Sequence, residues 1–271
     1  MPNVSPGKSM LYSALYTGAI GVGTQVVYLL CAALVGREFP LLVPMMLIVC
    51  GIIFTLLYLA GVTQRFTAAA GMGALLCLIG LSPGTSEAIN AQRKEGVPLW
   101  KAYHNAQRPV HKMMLTAFLV DVVVSLLFSL IYPSDAFPII APNPAFVPAP
   151  VGIALSFVFA AAVGLCAQGL AVATHAGMKG IMRIMYGAYF VSMVISFVGA
   201  GQYLAAVAPG GFNCTVFCAG EMIFDSVFAG MKFGLIPDMV VKLIVFCLII
   251  TLMFAFGVVA SAVAYRKQQQ T

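Results

Sequence analysis

Three acids in this chain stand where acids are expensive. Asp121 lies in AFLVDVVVSLLF, near the middle of an apolar run, and its nearest basic neighbour along the chain is Lys112. Placing such a side chain in a bilayer costs about 2.5–3.5 kcal/mol, so it normally turns towards protein or water. It is either a proton or cation site lining a conduit, or the partner of a polar group on a neighbouring helix, and both readings point it inward. Glu221 and Asp225 are four residues apart and share one helical face, where like charges repel unless a cation or water lies between them. Their position near a helix end favours a solvated pair at the interface with Lys232 two turns on; a cation site or proton relay is the alternative. Four glutamines, Gln25, Gln64, Gln168 and Gln202, offer donors and acceptors without charge. They are read first as bridges between helices, each contributing about 1 kcal/mol or less, and second as the lining of a polar path.

The elements that must hold these groups follow from how little else is charged. Of 271 residues, 14 are Lys or Arg and 8 are Asp or Glu, and 62% are hydrophobic. A soluble domain carries roughly a quarter charged residues. The composition excludes a soluble enzyme, a nucleic-acid reader and a disordered tail, and predicts an all-α polytopic bundle in contact with the lipid bilayer. Helices are expected at about 10–36, 40–63, 66–87, 114–133, 150–174, 183–207, 211–230 and 239–265. Eight crossings are favoured, because 66–86 is uncharged and long enough to span. If 66–87 and 211–230 instead dip in and return, six helices cross. Arg93, Lys94, Lys101, Arg108 and Lys112 fall in one polar stretch, 93–112, together with His104 and His111. It reads as a basic cytoplasmic loop that meets anionic head groups or a partner, and the Lys and Arg distribution fits either span count.

The stretch PSDAFPIIAPNPAFVPAP, residues 133–150, is too rich in proline for a helix and divides the chain into units 1–132 and 151–271. The two units align. At an offset of 138 residues Gly61 meets Gly199, Gln64 meets Gln202, Gly73 meets Gly211, Glu87 meets Asp225 and Lys94 meets Lys232; at 143, GAIGVGTQ meets AAVGLCAQ and brings Gln25 over Gln168. A tandem duplication is expected. Four crossings per half would make it parallel, and three would make it inverted, with the functional path between the halves.

The segments GAIGVGTQ and FTAAAGMGALLCLIG, with AAVGLCAQ and LAAVAPGGFNCTVFCAG in the second half, resemble the SpoVA family of spore membrane proteins. That likeness implies a bacterial inner-membrane protein associated with movement of calcium dipicolinate. Members typically carry one such unit, where this chain carries two.

No Walker motif, nucleophile elbow, zinc motif or dinucleotide fingerprint is present, so neither an enzyme nor a cofactor is expected. Cys214 and Cys218 would share a helical face but lack the further ligands of a metal site. Asn213-Cys214-Thr215 and Asn3-Val4-Ser5 fit the glycosylation pattern. Two functions remain in view. One is a channel or permease subunit for a small solute or ion, with other membrane subunits or further copies as partners. The other is a non-conducting scaffold subunit of a membrane complex.

Overall fold

The computed structural model describes residues 5–63, 71–132, 147–175 and 178–270. Long apolar runs bounded by proline and glycine become helices there. Helix α1 spans Pro6–Val35 and α6 spans Ala149–Ala173. Pro6 and Pro150 occupy their first turns, where a missing N–H leaves nothing unpaired. Gly36, at φ +88°, ends α1; α2 follows at Leu42–Leu59. After the break described below come α3 (Met72–Leu75), a 3-10 turn (Leu78–Gly80) and α4 (Leu81–Lys94), then α5 (Leu99–Ile131). The second half holds α7 (Met178–Phe197), α8 (Ala200–Val207), α9 (Pro209–Asn213), α10 (Val216–Phe233) and α11 (Ile236–Gln270).

Among the described residues five helices are long and apolar enough to cross a membrane: α1, α2, α5, α6 and Ile236–Arg266 of α11. Arg183–Phe197 and Ala200–Val207, bent by 94°, make a sixth span if taken together. Leu34, Leu130 and Ile131 turn most of their surface outward, as lipid-facing side chains do. The chain is a multi-pass integral membrane protein with an all-α bundle.

Eight continuous crossings do not form. The expected span 66–87 is interrupted at Leu76–Cys77, and the expected span 211–230 at Cys214–Thr215, where the backbone of Cys77 and Thr215 is extended. The expected helix 183–207 bends at Gly199, whose φ of +76° is natural only for glycine. Hydropathy records none of this, because an apolar segment buried inside protein has the same composition as one that spans.

The basic stretch 93–112 is also not a loop. It is the last turn of α4, a turn through Gly96 at φ +82°, and the first turns of α5, which begins after Pro98 and continues past Pro109. Of the Pro-rich segment 133–150, residues 133–146 lie outside the described residues; Pro148 is already the N-cap of α6.

The core is a tight crossing of α1 and α6 made possible by small residues. A Cβ at Gly21 would fall 2.6 Å from the Ser156 carbonyl oxygen, and one at Gly164 would fall 2.4 Å from Thr17 Oγ1. Without a hydrophobic force between helices in lipid, such backbone approach supplies the dispersion that holds them together. Around this pair α4 packs against α11, and α10 against α5.

Candidate functional site

The two interrupted segments meet. Leu78 N–H donates to Cys214 O at 2.8 Å and Val216 N–H donates to Leu76 O at 2.8 Å, closing an antiparallel bridge between Cys77 and Thr215. Breaking a helix frees backbone groups that hydrocarbon cannot satisfy, so irregular backbone survives at this depth only where protein or a watered cavity receives it. Here each break receives the other. Residues 76, 77 and 78 plus 138 are residues 214, 215 and 216, so the two bonds join positions that the 138-residue alignment pairs.

The glutamines complete the junction. Gln25 Oε1 accepts from Gly210 N–H at 2.7 Å and from Ser156 Oγ at 2.9 Å. Gln168 Oε1 accepts from Met72 N–H at 2.9 Å, while its Nε2 donates to Ser9 Oγ at 2.7 Å. Position 72 plus 138 is 210, so each first-helix glutamine ties down the corresponding backbone N–H of the opposite half. They are bridges, as expected, but to broken backbone rather than to side chains alone. Glycine is required at these contacts: a Cβ at Gly210 would lie 2.2 Å from Gln25 N, and one at Gly73 would lie 2.1 Å from Thr17 Oγ1. Gln64 lies outside the described residues.

Asp121 points inward. It is fully buried, and neither carboxyl oxygen has a hydrogen-bond partner among the described residues. It lies within electrostatic range of Tyr189 on α7, while α10 packs along α5. Ser125 Oγ, one turn on, donates to its backbone carbonyl at 2.6 Å. No basic side chain is gathered to it among the described residues.

The expected solvated pair is corrected. Glu221 and Asp225 are half-buried on α10, and Gln202 Nε2 donates to both Asp225 carboxylate oxygens at 2.7 Å. Their carboxyl groups are within reach of each other. Lys232 is occupied elsewhere: its Nζ donates to Ser129 O at 3.1 Å and to Tyr132 O, closing the C-terminal end of α5, where a cation is favoured. The cation in range of the pair is Lys242, itself 2.7 Å from Asp238. Glu87, aligned with Asp225, is half-buried on α4.

The basic residues divide between surface and interior. Lys94, Lys101, Arg108 and Lys112 are exposed, as is His104. Arg93 turns inward and lies over the Tyr265 ring at 3.6 Å. His111 packs edge-on against Phe254 at 4.5 Å. Cys214 precedes the extended Thr215 and so does not share a helical face with Cys218; both are buried and free. Asn213 is buried and inaccessible to glycosylation, and Asn3 lies outside the described residues.

Cavities flank the junction. One of about 360 Å³ reaches Thr24, Cys77 and Pro83 from between α1 and α2. Another of about 330 Å³ runs from Arg37 and Glu38 at the end of α1 to Gln25, Gly152 and Pro209. Ser13 and Ser156, which the 143-residue alignment superimposes, were not singled out as functional, yet Ser156 completes the Gln25 site and Ser13 Oγ donates to Gly164 O at 3.0 Å. No family model matches the chain, and neither a curated protein nor a solved structure matches it.

Proposed function

We propose that this protein is a membrane conduit, a channel or permease subunit for a small solute or ion, built from two inverted halves of three crossings and one re-entrant segment each. The observation that carries this reading is the junction at Cys77–Thr215. Broken helices that meet inside a bundle, each satisfied by the other half, are the architecture in which transporters place their path at the interface of repeats. The reciprocal bonds of Gln25 and Gln168 support descent of the halves from one duplicated unit. The likeness to SpoVA proteins agrees with a solute conduit in a bacterial inner membrane, and the cavity that runs from Arg37 and Glu38 to Gln25 suits a small polar cargo. The chain performs no catalysis in this scheme.

A non-conducting scaffold is the second reading, favoured by the close backbone packing at Gly73, Gly210 and Gly211. Flux separates the two. In proteoliposomes, swelling should reveal entry of small solutes above the protein-free rate. Tyr28 lines the cavity beside Gln25, so a bulky impermeant thiol reagent should block that flux in Tyr28→Cys and leave the unsubstituted protein unaffected. Absence of flux for every solute class, or flux indifferent to the modified Tyr28→Cys, would transfer the assignment to the scaffold.

A further inference from the structure

The bend between α7 and α8 gathers oxygen atoms that the junction does not use. Ser196 is fully buried in the last turn of α7, and its Oγ has no hydrogen-bond partner among the described residues. A Cβ added at Gly201 would fall 3.1 Å from Ser196 Oγ and 3.0 Å from Glu221 Cγ. The hydroxyl and the glutamate side chain therefore close over the same bare stretch of backbone. Gln202, the next residue, uses its Nε2 on both oxygens of Asp225, which leaves its Oε1 buried and without a partner.

We propose that Ser196, Gln202, Glu221 and Asp225 form a binding site for a single monovalent hard cation, of the sodium class. All four supply oxygen, the ligand type that hard cations select. Buried hydroxyl and amide oxygens left unmade cost about 1–3 kcal/mol each, and two carboxyl groups on one helical face repel, so an ion among them relieves both penalties. The charge balance favours one positive charge. Glu221 and Asp225 are within hydrogen-bond reach of each other, so a shared proton leaves the pair one negative charge; the neutral Gln202 amide adds none, and Lys242 is already engaged with Asp238. A divalent ion takes 6–8 oxygens, including several carboxylates, and among the described residues no three His, Cys, Asp or Glu side chains come together. A bend that interrupts a helix beside the acids is also where membrane transporters hold coupling ions. The site stands on its own residues and does not require that the protein conduct.

The test is equilibrium binding of radioactive sodium to the purified full-length protein in detergent, with choline holding ionic strength constant. Saturable binding of about one ion per chain is expected. Ser196→Ala should weaken it roughly tenfold without lowering the melting temperature in choline, because the removed hydroxyl has no partner to lose. Glu221→Gln should abolish it. No saturable binding would overturn the proposal, as would equal affinity in Ser196→Ala, or displacement of the bound sodium by sub-millimolar calcium or magnesium.

Discussion

Replacing Gln25 by methionine keeps the side-chain length and removes the acceptor that holds Gly210 N–H. The Gly210 backbone is buried against α1, and no second acceptor replaces Gln25. The released Ser156 hydroxyl can turn back to the Gly152 carbonyl one turn earlier and contributes little to the loss. The dominant cost is an orphaned backbone donor, about 1–3 kcal/mol, equivalent to a roughly 5- to 150-fold change in the folding equilibrium. An ordinary side-chain bond between membrane helices averages about 0.6 kcal/mol, so the two explanations separate. Reversible titration with sodium dodecyl sulfate in mixed micelles, followed by far-ultraviolet circular dichroism, measures the difference. Val26→Met, on the exposed side of the same helix, is the control. Gln168→Met, which orphans Met72 N–H, should cost a similar amount. If Gln25→Met shifts the transition no more than Val26→Met, the glutamine does not secure the broken backbone and the junction is held by packing alone.

Gly210→Ala places its Cβ within 2.3 Å of Gln25 N and Cα. Overpacking against backbone should cost at least about 1–3 kcal/mol in the same titration, while Gly23→Ala, which meets nothing within 4 Å, should be neutral or slightly stabilising. Asp121→Asn preserves shape and leaves the site uncharged at every pH; assembly should be intact and the rate of flux in reconstituted vesicles, or its pH profile, should change. An unaltered profile would remove Asp121 from the proposed conduit.

Composition and the runs without charge carried the class of the protein and several boundaries: α1, α6 and α11 begin and end within about five residues of their expected limits. The inward direction of Asp121 followed from the cost of exposing a carboxyl group to lipid. The interruptions at Cys77 and Thr215 did not follow, because a buried broken segment and a spanning one are equally apolar. Only the clustered glycines hinted at them, and glycine serves close packing as readily as a break. The start of α5 was hidden by its charge, which resembles a loop until one sees that Ala102, Gln107 and Met113 are each buried against the bundle. Ser196 had no signal of its own. A lone serine in an apolar run gains meaning only when the bend brings Glu221 and Gln202 around it.

The exchange of hydrogen bonds across Cys77–Thr215 bears on how such a molecule could have arisen. Neither unit can close its own break: Leu78 needs Cys214, Val216 needs Leu76, and each first-helix glutamine reaches into the other unit. If the chain is the inverted duplication proposed above, a one-unit ancestor with three crossings would have found that partner in a sibling inserted upside down in the same membrane. Its usefulness would then have hung on an even mixture of the two insertions. On that proposal, joining the units through an odd number of crossings would remove the lottery, since translation of one chain would deliver both orientations in equal measure, already side by side.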